Sequence, residues 1–287
     1  MEWHPAPAKL NLFLHVLGRR KDGYHLLQTV FRLIDYADRV GIAPRTDGII
    51  RRVDETPGVD AQSDLCVRAA KGLRARALER GIDFARATGL GADIGLDKRL
   101  PIGGGLGGGS SDAATVLIVL NRLWGLGLGR AELMEVGLEL GADVPVFVFG
   151  ANALGEGVGE RLESLDLPPA WYLVLTPQVS VSTKEIFSSV ALTRDTKPLK
   201  IPPFLPGMGK NDLQPVATAL YPEIAAHLEW LSKHGDARMT GSGACVFAEF
   251  GSEAKARAVE ARLPAGMRGF VARGLERHPL QGWVVGA

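Results

Sequence analysis

The residues with the clearest capacity for chemistry lie between Lys98 and Trp124, KRLPIGGGLGGGSSDAATVLIVLNRLW. Gly103, Gly104, Gly105, Gly107, Gly108 and Gly109 crowd one loop, interrupted only by Leu106. Ser110, Ser111 and Asp112 then lead into an apolar run from Ala113 to Leu120. Glycines lose more backbone freedom on ordering than other residues. Such a tract belongs where main chain must approach a partner with no side chains in the way. The apolar run predicts a helix of about three turns with Ser110 or Ser111 as its N-cap. A glycine loop entering a helix presents free N–H groups and the positive end of the helix dipole, a ready site for phosphate. A flexible linker is the plain alternative, but linkers do not run straight into a buried helix.

Several known phosphate loops are excluded. Gly103, Gly105 and Gly108 give a G-x-G-x-x-G match, which is weak inside a glycine tract. A dinucleotide fold needs a strand ending in an acid soon afterwards, whereas Ala131 to Leu140 reads as a helix. The G-K-[ST] ending of a P-loop is missing, and so are the V-A-I-K strand and H-R-D-L loop of protein kinases.

Ala8 to Val16 alternates, with Lys9, Asn11, Phe13 and His15 opposite an apolar face, and predicts a half-buried strand. Lys9 and Asn11 then point the same way, about 7 Å apart. A solvated strand face is the bland reading of Lys9, weakened by Pro5 and Pro7 leading into the strand and by the polar residue sharing its face. Asp143 stands two residues before Pro145 in GADVPVF, where capping of a short helix is the sober reading.

Asp22-Gly23 predicts a turn returning as a second strand from Tyr24 to Phe31. Asp38 to Val53 reads as further strand with a turn at Asp47-Gly48. Leu65 to Arg80 predicts an amphipathic helix, Ala92 to Leu96 the strand feeding the loop, and Arg130 to Gly141 a second helix. Glycines without clear period from Gly150 to Glu160 suggest a boundary between domains 1–155 and 156–287. Beyond it come a strand at Trp171 to Thr176 and a helix at Ser182 to Val190. A proline-rich surface loop follows from Leu192 to Gly209, then a helix from Pro222 to His234. Two strands flank Gly241-Ser242-Gly243, followed by a helix at Glu253 to Leu263 and a closing strand at Gly269 to Arg273. Helices on one face of a small antiparallel sheet make this half α+β.

Composition narrows the classes further. With 46% hydrophobic and 23% charged residues the chain reads as globular, and a net charge of +1 argues against a broad nucleic-acid surface. No apolar stretch approaches the ~18 residues of a membrane span, and MEWHPAPAK lacks a signal-peptide pattern. Cys66 and Cys245 lie apart, without metal spacing, and read as buried reduced thiols. The expectation is a cytoplasmic enzyme.

Four separated segments, PAKLNLFLHVLGRRKDGYH, DKRLPIGGGLGGGSSDAA, LGADVPVF and MTGSGACVFAEF, together resemble the GHMP superfamily of small-molecule kinases. K-D-G-Y-H points to the branch that acts on a cytidine diphosphate-linked methylerythritol rather than on homoserine or mevalonate. The resemblance implies an α+β two-domain GHMP kinase fold. Its N-terminal domain is ribosomal-protein-S5-like α/β, its C-terminal domain ferredoxin-like α+β, and the active site lies in the cleft between them. It implies transfer of the γ-phosphoryl group of ATP to the 2-hydroxyl of the methylerythritol moiety, in the non-mevalonate route to isoprenoid precursors. Asp143 matches the proton acceptor and Lys9 the lysine beside it. Pro101, Ile102, Gly103, Gly104, Gly105, Leu106, Gly107, Gly108, Gly109, Ser110 and Ser111 match the ATP loop. Mg²⁺ is implied, with Ser111 or its neighbour Ser110 as a ligand. Tyr24, His25, Phe31 and Phe187 match positions that hold the cytidine end, and Asn11, Thr240 and Gly241 complete the substrate set. Asp112 departs from expectation by putting negative charge near the phosphates, either turned away from them or supporting the metal from behind. The partner is then a small molecule, with no nucleic acid and no membrane, and the enzyme a monomer or weak homodimer.

Overall fold

The computed structural model describes residues 1–54, 64–201, 203–204 and 206–284. Its first hairpin is longer than the alternation suggested. β1 (Glu2–Arg19) runs antiparallel to β2 (His25–Arg45), joined through Gly23 at φ 92°. The strand expected to begin at Asp38 is therefore the second half of β2. The buried Asp38 is satisfied in mid-strand by the main-chain N–H groups of Arg99 and Leu100. Nor is β1 half-buried: every residue from Ala6 to Val16 is buried. The second domain packs on part of this strand (below), so no side of it is left to solvent.

After a turn at Gly48, β3 (Ile50–Arg52) pairs parallel with β4 (Gly91–Asp97), which lies antiparallel along β2. α1 (Leu65–Glu79) starts on Asp64, whose carboxylate accepts from the N–H groups of Cys66 and Val67. The short α2 (Phe84–Gly89) returns the chain to β4. α3 (Gly108–Leu123), α4 (Arg130–Leu140) and α5 (Val144–Phe149) complete a helical layer over the sheet. Leu33, Val40, Ile42 and Ile94 from the sheet meet Leu73, Leu117, Leu133 and Val146 from the helices in one core. α3 is buried from Ser111 to Asn121, which explains its near-continuous apolar run.

The domain boundary expected at 155 falls inside a hairpin. β5 (Ala153–Gly157) and β6 (Arg161–Ser164) extend the first sheet, giving the path β3-β4-β2-β5-β6 with β1 on the other edge of β2. One of the glycines that suggested a boundary has a packing role here. A Cβ on Gly155 would lie 2.6 Å from Phe31 Cε2.

The second domain is built from β7 (Trp171–Leu175), β8 (Ala237–Met239), β9 (Val246–Phe250) and β10 (Gly269–Arg273), in the antiparallel order β10-β7-β9-β8. α6 (Thr183–Ser188), α7 (Gln214–Leu220) and α8 (Pro222–Ser232) precede β8, and α9 (Glu253–Glu260) precedes β10. This is the ferredoxin-like order. α7 was not expected, since seven residues beginning Gln-Pro show no helical period. One sheet face packs on Ile224, Leu228 and Ala256 of the helices. The other carries Tyr172, Val174 and Phe247 into a shared core with Leu10, Leu12 and Phe13 of β1. The chain then returns home: Leu275, Leu280, Trp283 and Val284 pack on the first domain.

Candidate active site

The loop from Pro101 to Gly107 hangs between the two domains, and its carbonyls are engaged from behind. Lys9 N–H donates to Leu106 O at 3.0 Å, Cys245 N–H to Gly104 O at 3.1 Å, and the Thr240 hydroxyl to Gly105 O at 3.3 Å. Thr240 Oγ1 in turn accepts from the Asn11 main-chain N–H at 3.0 Å. The second glycine turn, Thr240 to Gly243, is thus a clamp on the first. With those carbonyls tied back, the loop is left to offer its N–H groups outward, at the N-terminus of a 16-residue helix.

That helix begins earlier than its serines suggested. Gly107, at φ 74°, holds the N-cap position, and no side chain caps the helix. Ser111 is fully buried, and its hydroxyl donates to Pro7 O at 2.7 Å. A metal-ligand role for Ser111 does not fit that geometry. Ser110 lines the cavities on both sides of the loop instead.

Those cavities define the site. A cleft of about 680 Å³ is lined by Lys9, Asn11, Tyr24, His25, Phe31, Asp143 and Phe187. A second hollow of about 320 Å³ lies along the glycine loop beside Leu65, Leu96 and Ile102. Gly103, Gly105 and Ser110 line both, so the two compartments meet at the phosphate loop.

At the floor of the larger cleft, Lys9 Nζ lies 3.2 Å from Asp143 Oδ2. Lys9 is 2% exposed and Asp143 40%, so the ammonium is buried while the carboxylate still faces the cleft. Asp143 sits at the N-cap position of α5 but makes no capping bond with its side chain. Its pairing with Lys9 displaces the capping reading. A buried ammonium is costly unless paired and hydrogen-bonded. Lys9 also donates to Asn11 Oδ1 at 2.5 Å and lies 5.7 Å from the centre of the Phe31 ring. Asn11 Nδ2 donates to the Thr29 hydroxyl at 2.9 Å, and that hydroxyl donates to Phe13 O at 2.5 Å. The relay fixes the orientation of the Asn11 amide and the height of the ammonium. Asn11, expected among the substrate contacts, is therefore engaged mainly in holding Lys9.

The aromatic residues divide. His25 and Phe187 face each other with ring centroids 4.9 Å apart, and Tyr24 is 62% exposed. Phe31, expected with them, lies instead under Lys9 and borders the reacting end of the cleft.

Asp112 is buried at the edge of the smaller hollow, which it helps to line, and its carboxylate is held by a lysine. Its Oδ2 accepts from Lys98 Nζ at 2.7 Å, and Lys98 also donates to the buried Asp38. Burial, with the Asp38 carboxylate adding to it against the pull of Lys98, raises the Asp112 carboxyl to about 7. A carboxyl raised on folding contributes stability that is fully present below its ordinary value of 3.8 and lost as pH climbs through about 7. Asp112→Asn should therefore raise the Tm more at pH 8 than at pH 5, read by thermal melts at both values. An equal change at both would remove the titration from Asp112.

No local pattern marks Lys98 and Asp38 as partners, since their pairing depends on β2 continuing past residue 37. Asn211 was also missed. Its Nδ2 donates to Met239 O and Gly241 O, both at 2.8 Å, holding the clamp turn. A buried polar pair after a proline-rich loop was the available signal.

Known proteins match this arrangement along the chain. Residues 64–151 match the model of the GHMP kinases N terminal domain and residues 201–269 that of the GHMP kinases C terminal domain. The 4-diphosphocytidyl-2-C-methyl-D-erythritol kinase of Nitrosospira multiformis is 61% identical over 279 residues, covering 96% of this chain and 92% of that protein. That of Thiobacillus denitrificans is 60% identical, covering 98% of each chain. The chain belongs to the GHMP kinases, in their 4-diphosphocytidyl-2-C-methyl-D-erythritol kinase branch. A crystal structure of 4-(cytidine 5'-diphospho)-2C-methyl-D-erythritol kinase superposes with a TM-score of 0.78 at 33% identity, over 95% of this chain and 99% of that one. A mevalonate kinase from Methanococcus jannaschii shares the fold alone, with a TM-score of 0.67 at 16% identity. The GHMP fold thus accounts for the clamp, the loop and the two compartments together. Among the described residues no helix is long and apolar enough to cross a membrane.

Proposed function

We propose that this GHMP kinase transfers the γ-phosphoryl group of ATP to the 2-hydroxyl of 4-diphosphocytidyl-2-C-methyl-D-erythritol, a step toward isoprenoid precursors. The observation that carries the reading is the meeting of two compartments at the glycine loop, with Lys9 and Asp143 at the floor of one of them. The smaller hollow suits the nucleotide, and the loop N–H groups suit its phosphates. The larger cleft suits an elongated acceptor, with its base near His25 and Phe187 and its branched polyol near Phe31 and Lys9.

Phosphoryl transfer asks mainly for positioning and charge neutralisation. Asp143 is the only carboxylate paired with Lys9 among the described residues, and it accepts the proton from the attacking hydroxyl. Lys9 holds that carboxylate in place and offsets negative charge on the attacking oxygen. Asn11 keeps the ammonium from shifting. Magnesium fits as an ion carried by the nucleotide: no group of three or more His, Cys, Asp or Glu among the described residues could hold one. Ser110 is the loop hydroxyl available to it, and the ion would supply further charge neutralisation.

The deciding measurement is a coupled assay of ADP release with the cytidylated methylerythritol, run beside homoserine and mevalonate. Turnover with the first alone is expected. Turnover with either of the others, and none with the first, would overturn the acceptor assignment.

A further inference from the structure

Among the described residues of the proline-rich loop from Leu192 to Gly209 none lies in a helix or strand, yet one of its side chains reaches back to the base end of the cleft. Arg194 Nε donates to His25 Nε2 at 3.2 Å. The rest of its guanidinium is spent on carbonyls at the end of α6 and just after it. Nη2 donates to Ser189 O at 2.7 Å and Phe187 O at 3.1 Å, and Nη1 to Leu192 O at 3.1 Å. One side chain thus binds both members of the His25–Phe187 pair, while standing outside the set of residues that line the cleft.

An arginine donates and never accepts. A histidine nitrogen that accepts from it carries no proton, so the ring proton sits on the other nitrogen. We propose that Arg194 is a positioning residue for recognition of the base, fixing His25 as the neutral Nδ1–H tautomer beside Phe187. The inference rests on the functional reading above and adds how the base end is held. His25 then meets its ligand as a hydrogen-bond donor, matched to an acceptor atom on a pyrimidine such as cytosine. The same contact opposes protonation. Burial lowers the His25 imidazole below its ordinary value, and the positive charges of Arg194 and Arg19 push it the same way. Both charges acting on the ring, one from the loop and one from β1, have the same sign. Without Arg194 the ring would be free to turn, to change tautomer, and to take up a proton closer to neutral pH.

Two measurements test this. The first is the ¹⁵N spectrum of the histidine side chains in the wild-type protein at pH 7, with His25 assigned by its loss in His25→Gln. A neutral ring protonated on Nδ1 is expected; an Nε2–H tautomer or a cationic ring overturns the proposal without touching the assigned activity. The second is steady-state kinetics of Arg194→Ala from pH 6 to 8. KM for the cytidylated acceptor should rise on the order of tenfold, as for loss of one good hydrogen bond. The rise should be steeper at pH 6 than at pH 8, while kcat and the KM for ATP change little. An acceptor KM equal to that of wild type across the range overturns the assignment of Arg194. Absence of turnover with this acceptor in the wild type would instead fall on the functional reading.

Discussion

Asp143→Ala is expected to lower kcat by roughly 10²–10⁴-fold, the usual contribution of a positioned general base. Affinity for ATP should stay near that of the wild type. The separation follows from geometry: Asp143 lines the acceptor cleft and not the hollow along the glycine loop. The substitution also leaves Lys9 buried, with Asn11 Oδ1 and the Phe31 ring as its remaining neighbours. Part of the loss will therefore come from an ammonium with no counter-charge. Asp143→Asn distinguishes the two effects, because it keeps an oxygen acceptor for Lys9 but cannot take a proton. If the carboxylate takes the proton, alanine and asparagine should be nearly equally slow. If its main service is to hold Lys9, asparagine should recover most of the rate. Single-turnover rates with a fluorescent-nucleotide titration on each variant make the comparison, and a near-normal rate in both would remove Asp143 from the chemistry.

Asp143 and Lys9 also illustrate how far the sequence could be read. Each had an ordinary local reading, a helix cap and a solvated strand residue, and only their contact displaces both. Local pattern gave the hairpin turn at Gly23, the helices around the loop and most of the second sheet, because those elements follow from short periods and turn residues. It failed where a residue's surroundings are set by distant chain. Asp38 reads as the start of a separate strand because the N–H groups that satisfy it in mid-strand belong to Arg99 and Leu100. Gly155 looked like part of a domain boundary because the ring it accommodates is that of Phe31, far earlier in sequence. Ser110 and Ser111 are equivalent in any propensity argument, yet one faces the cavities and the other is bound to Pro7 O. Which serine faces out follows from helical phase, and that is fixed by Gly107 occupying the cap. Arg194 lies in a proline-rich segment of weak periodicity, where sequence offers no means of finding its partner.

Gly105→Ala is the second change with a large expected effect, because it strikes the clamp between the domains. Gly105 has φ 75°, and a Cβ there would lie 2.2 Å from Thr240 O and 3.1 Å from Gly243 O. Both obstacles are main chain, so no rotation of a side chain relieves them. The left-handed backbone adds a cost of about 1–3 kcal/mol for a residue other than glycine. The loop can respond only by moving away from the second glycine turn, which breaks the Thr240 hydroxyl contact to Gly105 O and strains the neighbouring Cys245 N–H to Gly104 O bond. Its N–H groups would then no longer converge, so nucleotide affinity should fall by at least about tenfold for each ~1.4 kcal/mol of lost phosphate contact. Gly109 makes the informative comparison. It lies in the first turn of α3, has no positive φ, and a Cβ there would meet only Leu65 Cδ1 at an ordinary 3.6 Å. Alanine at 109 should keep or raise the Tm, by up to ~1 kcal/mol of helix preference, whereas alanine at 105 should lower both Tm and nucleotide affinity. Thermal melts with and without ATP on the two variants read this directly. If the two glycines tolerate alanine equally, the loop is held by something other than its contact with Thr240, and the clamp has no role in gripping phosphate.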